Sequence, residues 1–253
     1  MKRLLLLFVT LTGVFGAAAQ TETPMPDSAS IVVERYNTLL NHGTITNDSM
    51  LYIESMVMDA YHPSDTLFMR RWFVMPNFHR VEIVFRDSLI FAIYGDGFMH
   101  YRQYDTAGRI WRNIKPDEFW DQMSGYDFHG PLYDWKKRGL ELSYRGLWNF
   151  RGTPVMRVYV EDPDRFPRNY LFEKKSGLLF YIDELDSAAV KPPPNAKTQH
   201  VHWRAYSEYI PLGKQLFISA ESYMQDNQVT VALHRYRMTT RDMALFYVDH
   251  YKP

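Results

Sequence analysis

Residues 66–104 (TLFMRRWFVMPNFHRVEIVFRDSLIFAIYGDGFMHYRQY) constrain the fold more than any other stretch. Four runs in it alternate apolar and polar side chains, separated by three turn signals. Val81, Ile83 and Phe85 fall on one face, Arg80, Glu82 and Arg86 on the other. A period of two belongs to a strand with one buried and one wet face. Pro76-Asn77, Arg86-Asp87-Ser88 and Gly95-Asp96-Gly97 mark the hairpins; Asp-Gly tolerates the positive φ of a tight turn. The stretch predicts a continuous antiparallel meander. The rest of the chain must extend that sheet or cover its apolar face.

The first segment is expected to lie outside the fold. Lys2 and Arg3, an apolar run over 4–14 and Ala17-Ala18-Ala19 predict a secretory signal peptide over residues 1–19. The apolar run is short for a bilayer span, and no later run is longer, so no membrane span is expected after signal cleavage. The chain has no cysteine. That excludes a lipid anchor on cysteine and thiol catalysis. Residues 20–253 suffice to bury a core without disulfides. Export without disulfides fits a periplasm.

Lys and Arg total 29, as do Asp and Glu. Without Lys2 and Arg3 the mature chain carries 27 basic and 29 acidic groups, a net of −2. No basic stripe is present, so no nucleic acid is expected as a partner. The departure from average is aromatic: 18 Tyr, 16 Phe and 6 Trp, beside 13 Met. An all-β core accounts for most of these; aromatics with Met also suit an adaptable apolar surface.

Residues 28–41 predict a helix capped by Ser28 or Ser30, with Val32, Tyr36, Leu39 and Leu40 as its stripe and Gly43 as its stop. Residues 50–61 and 109–114 alternate as strands. Two helical runs then interrupt the β pattern, PDEFWDQM from Pro116 and PLYDWKKRG from Pro131 to Gly139. Phe119, Trp120, Met123, Leu132 and Trp135 are their candidates for covering the sheet. Strands resume at Leu140. Met156, Val158 and Val160 form an apolar row, residues 162–168 read as a loop, and five further strands complete the pattern, broken by the exposed Pro loop at 191–195. No repeat or composition shift divides residues 20–253, so one domain is expected.

This order of elements resembles the LolA/LolB-like proteins, which handle outer-membrane lipoproteins in Gram-negative bacteria. The stretches that carry it are PNFHRVEI, IYGDGFMHYRQ, YDFHGPLYDWKKRGLEL, YIDELDS and YSEYIPLGKQLFISAE. HGPLYDWKKRG is similar to the Gly-Pro-Leu-x-Asp-(Trp/Tyr)-Lys element of LolA-like proteins. The resemblance implies a mainly β (α+β) fold: a single curved antiparallel sheet forming a half-open barrel, covered by an N-terminal helix and short lid helices. It implies a soluble periplasmic carrier that shelters the acyl chains of lipoproteins or other lipids, and leaves room for membrane-bound donor and acceptor proteins. Phe73, Met75, Val81, Ile83, Phe85, Met156, Val158 and Val160 would line its cavity, with Phe119, Trp120, Met123, Leu132 and Trp135 as the lid. In established carriers an arginine precedes the Pro-Asn turn and helps hold the lid; here Met75 stands there, and Arg71 shares its strand face.

Chemical motifs are few. His200 and His202 share a strand face as two metal ligands could, with Glu221 and His234 as conceivable partners, but an exposed strand explains them as well, and neither metal nor cofactor is expected. Asp117, Glu118 and Asp121 crowd a helix start, where acids are favoured anyway. Tyr101 and Tyr104 are ordinary strand residues. No nucleophile-elbow, zinc-protease, P-loop or dinucleotide motif occurs. A non-catalytic interaction module with a self-filled barrel stays open as the alternative, and a hydrolase behind it.

Overall fold

The computed structural model describes residues 28–40, 49–74, 78–96, 100–123, 129–163, 165–184, 201–225 and 228–246. A first meander contains β1 (Ser49–Asp59), β2 (Leu67–Val74), β3 (Phe78–Phe85), β4 (Ser88–Gly95), β5 (Tyr101–Asp105) and β6 (Ile110–Asn113). A second contains β7 (Glu141–Phe150), β8 (Thr153–Asp162), β9 (Arg165–Glu173), β10 (Leu179–Glu184), β11 (Val201–Leu212) and β12 (Gln215–Gln225). The last strand, β13 (Gln228–Thr240), pairs with β12 on one side and β1 on the other. One antiparallel sheet results, ordered β6-β5-β4-β3-β2-β1-β13-β12-β11-β10-β9-β8-β7. Its two ends do not join. The architecture is a curved half-open barrel.

Local chemistry explains the joints. Arg86 and Asp87 both adopt positive φ (47° and 62°) in the two-residue β3–β4 turn. That backbone twist matches the flanking strands. Helix α1 (Ala29–Leu40) starts at Ser28, whose Oγ accepts the Ile31 N–H at 3.4 Å. Helix α2 (Pro116–Met123) begins with proline and two acids, as its N-terminus favours.

Three apolar clusters hold these parts together. In the first, Val32, Val33, Tyr36 and Leu40 of α1 pack with Leu132 on Met156, Val158, Phe172 and Ile182. In the second, Phe119 and Met123 of α2 pack on Leu51, Ile53, Phe73, Val81 and Ile93. Both lie on the concave face. The third lies on the convex face, where Phe246 of a 3₁₀ turn (Met243–Phe246) covers Met50, Val74 and Phe78.

That third cluster corrects the wet face expected for β3. Arg80 and Glu82 alternate with Val81 as read, but are only 5% and 3% exposed. The 3₁₀ turn lies over them: Arg80 donates to Glu82 and to the Leu245 carbonyl, and its guanidinium stands 5.4 Å from the Trp72 ring centre. Burial is tolerated because the two charges pair. A second correction concerns residues 131–139, which form successive turns instead of a lid helix. Asp134 has φ of 49°, and backbone bonds run from Tyr133 to Gly130, Arg138 to Asp134 and Leu140 to Trp135. Spacings of three, four and five give no helical repeat. The expected loop at 162–168 is also shorter, because β9 starts at Arg165 and carries Pro167 within it, beside a register shift.

Candidate ligand-binding face

The structure divides the expected cavity residues between two places. Phe73 and Val81 are buried in the second cluster, beneath Phe119 and Met123 of α2. Met156, Val158 and Val160 are buried in the first, beneath α1, with Leu132 packed among them and Trp135 partly buried alongside. Trp120 is 41% exposed and presents its ring edge-on to His79 at 5.2 Å. Met75 lies outside the described residues. Ile83 and Phe85 are half-buried on the concave face. Register sets Met69 opposite Ile83, and Ile83 opposite Phe91. These three half-buried side chains form a row across β2, β3 and β4.

The row continues into polar side chains. Met69 is opposite Ser55, and Ser55 is opposite His234. Five neighbouring strands contribute one polar group each: Arg71 (β2), Ser55 (β1), His234 (β13), Glu221 (β12) and Arg204 (β11). Arg71 Nη2 donates to Ser55 Oγ at 2.9 Å and lies 3.4 Å from His234 Nδ1. A guanidinium only donates, so Nδ1 accepts, also taking the Ser55 hydroxyl at 2.7 Å. Nε2 then carries the imidazole proton toward Glu221 Oε1, 3.4 Å away. The other carboxylate oxygen is 3.7 Å from Arg204 Nη1. Arg204 stands over the Tyr223 ring at 5.2 Å. Burial alone would raise the Glu221 pKa; Arg204, then His234 and Arg71, outweigh it and hold the carboxyl at about 2. Burial likewise opposes the Arg204 charge, and Glu221 sustains it. Burial pushes the neighbouring Tyr206 and Tyr236 phenols up, so both stay protonated.

Neither a family profile nor a curated protein matches the chain. Solved structures do. A LolA superfamily protein from Nitrosomonas europaea superposes with a TM-score of 0.54 at 9% identity, over 89% of this chain and 100% of that one. A DUF1329 family protein from Desulfovibrio piger gives 0.54 at 10% identity, over 88% and 99%. An outer membrane lipoprotein-sorting protein domain from Vibrio parahaemolyticus gives 0.52 at 11%, over 88% and 97%. The chain has a LolA-like fold. Within it, the polar row occupies the five middle strands, between the apolar cluster under α1 and the one under α2.

This row was not found from the sequence. Glu221 and His234 were conceivable metal ligands without a place; the structure sets them against each other and gives them two arginines for neighbours. Cations on both sides make a poor metal site, and the described residues contain no group of three or more His, Cys, Asp or Glu able to hold a metal. His200 lies outside the described residues. Ser55, His234 and Glu221 also follow the hydroxyl–imidazole–carboxylate order of a nucleophilic triad. Ser55, however, is 1% exposed and already bonded to Arg71. Asp117 and Glu118 stand at the start of α2, where Glu118 meets Arg112 at 3.2 Å on the surface. The signal that would have revealed the row is a charged residue in the inward phase of a strand. Arg71 has it in LFMRRWFV, and Arg204 in VHWRAYSE.

Proposed function

We propose that the chain is a periplasmic carrier that shelters acyl chains of lipoproteins or other lipids on its concave face, after removal of residues 1–19. Residues 20–253 act as one domain in this reading, without catalysis. The observation behind it is the way the second cluster is closed. An eight-residue helix, α2, covers it, chiefly through Phe119 and Met123. Burying two such side chains contributes about 1.5–3 kcal/mol each. Each acyl CH₂ taken from water contributes about 0.8 kcal/mol, so roughly four to eight methylenes offset the loss of the helix. A longer chain can therefore displace α2, starting from the half-buried Met69, Ile83 and Phe91. Phe73, Val81, Ile83 and Phe85 would then line the site, with Phe119, Trp120 and Met123 as its lid. The Met156, Val158 and Val160 row, under α1, Leu132 and Trp135, would be a second compartment. The LolA-like fold agrees with this, though fold alone does not assign function. Membrane-bound donor and acceptor proteins would load and unload it.

A second reading has its own observation. Val33, Tyr36, Phe119 and Phe172 have no exposed surface, as in a self-filled interaction module. Mass spectrometry of lipids co-purifying with the mature protein, with titration of a fluorescent acyl probe, separates the two. The carrier reading expects bound lipid and saturable probe binding that strengthens in Phe119→Ala. A lipid-free protein that ignores the probe leaves the interaction module.

A further inference from the structure

An ion row, buried at Arg71 and opening to solvent at Arg204, is a strange thing to place at the centre of an apolar face. Pairs and triads of buried charges usually gain nothing over well-packed apolar residues, because desolvation consumes the attraction. Ile or Leu at positions 71, 204, 221 and 234 would serve packing at least as well. A ligand gives the row a purpose.

Three observations describe that ligand. The first is position. The half-buried row Phe91, Ile83, Met69 runs at one cross-strand level directly into Ser55 and His234. A molecule lying along it has an apolar part over β4–β2 and a polar end over β1–β11. The second is charge. Two guanidiniums and one carboxylate make up the fixed charge of these five side chains, a balance of one positive charge within the row; the exposed Glu208 carboxylate, which accepts the Ser219 hydroxyl at 2.8 Å, lies on β11 opposite Ala220, one position along β12 from Glu221. The Glu221 carboxylate stays ionised and neutralises only one of them. The third is access. Arg204 keeps 38% of its side-chain surface exposed, against 16% for Glu221 and 8% for His234. Its ion pair is long, at 3.7 Å, and its plane rests on Tyr223. Glu221 and the Tyr206 hydroxyl engage part of the guanidinium; of its five N–H donors the others serve the exposed part, which can bond a carboxylate or phosphate.

We propose that this row is a subsite for the anionic headgroup, carboxylate or phosphate, of an acyl ligand whose chain lies along Met69, Ile83 and Phe91, and that Arg204 makes the direct contact. Arg71, Ser55, His234 and Glu221 hold the local field and the orientation of that contact. This rests on the carrier reading and narrows it to acidic amphiphiles.

The test displaces a bound fluorescent acyl probe from the mature protein with palmitate, hexadecyl phosphate, methyl palmitate and inorganic phosphate. One charge-assisted contact predicts that the two acidic amphiphiles displace it at about tenfold lower concentration than methyl palmitate. Arg204→Gln should remove that preference, raising the two acidic amphiphiles to the concentration that methyl palmitate needs. Arg204→Lys, which retains the charge, should keep part of it and guards against a folding defect in the glutamine variant. Equal displacement by all three amphiphiles overturns the subsite and leaves the carrier reading standing. Competition by inorganic phosphate without a chain overturns the lipid-headgroup assignment in favour of a free anion site. A probe that never binds overturns the carrier reading, and the subsite with it.

Discussion

Gly95 offers the most direct test of how α2 is seated. It ends β4 beneath the helix. A Cβ added there would lie 2.7 Å from Phe119 Cζ, 2.8 Å from Tyr101 Cδ1 and 3.0 Å from Phe119 Cε2. The two rings are 4.7 Å apart, and Phe119 is fully buried. Gly95 is not among the glycines at positive φ, so the backbone accepts alanine and the unfolded chain loses freedom, a gain of about 0.4–1 kcal/mol. Overpacking a methyl against two aromatic rings costs about 1–3 kcal/mol. Gly95→Ala should therefore destabilise by up to about 2.6 kcal/mol, about 1.3 at the middle of the range, which lowers Tm by roughly 3–5 °C for a chain of this size. Phe119→Leu alone should also destabilise, by opening a void. The double variant should be no worse than Phe119→Leu, because the missing ring edge makes room for the methyl. Urea unfolding of the four proteins gives the coupling directly. Hydrogen exchange over residues 116–123 should quicken in Gly95→Ala, since the helix is the element that yields. Single effects that add within about 0.5 kcal/mol would refute the argument that α2 is held by this contact.

Three further expectations follow from buried charge and backbone geometry. Arg80→Met alone should cost about 3–5 kcal/mol by stranding Glu82 under the 3₁₀ turn, and Arg80→Met with Glu82→Leu should recover most of it; equal loss in both variants, measured by urea midpoint, would mean the pair itself stabilises the fold. The Glu221 carboxyl is depressed from 4.5 to about 2. Its contribution is therefore complete above about pH 4.5 and disappears as pH falls through 2. Glu221→Gln should flatten the stability profile across that window, and parallel profiles for the two proteins would contradict the assignment. Gly177 has φ of +79°, and an added Cβ would stand 2.6 Å from Arg35 Nε. Arg35 is a flexible surface side chain, so Gly177→Ala should cost about 1–2 kcal/mol through the left-handed backbone. Adding Arg35→Ala should not restore Tm; a full rescue would make the clash the cause.

What the sequence revealed and what it hid divide along one line. Period-two alternation and turn residues exposed the meanders, because both are local. The β3–β4 turn and the Val81–Ile83–Phe85 face could be read from a dozen residues. The burial of Arg80 and Glu82 could not, because the segment that covers them lies about 160 positions later, at Leu245. The turns at 131–139 read as a helix in sequence because Pro131 and Gly139 bracket a plausible amphipathic run, while the left-handed Asp134 leaves no mark in composition. The polar row depended on register between five strands drawn from two distant parts of the chain, β1–β2 and β11–β13. Arg71 alone looks like one more charged strand residue. Only pairing places it near His234, 163 positions away.

The partnership of β1 with β13 also bears on how the chain acquires its shape. Thr239 reaches the carbonyl of Met50 across 189 positions, and among the described strands β13 is the one that bridges the two meanders. Until it emerges, each meander is a separate sheet with an unsatisfied edge, and long-range pairing of this kind is slow to nucleate. A chain emerging N-terminus first would thus stay pliable until residues 228–240 had followed. The strand that completes the shell would double as the timer that keeps it from forming too soon.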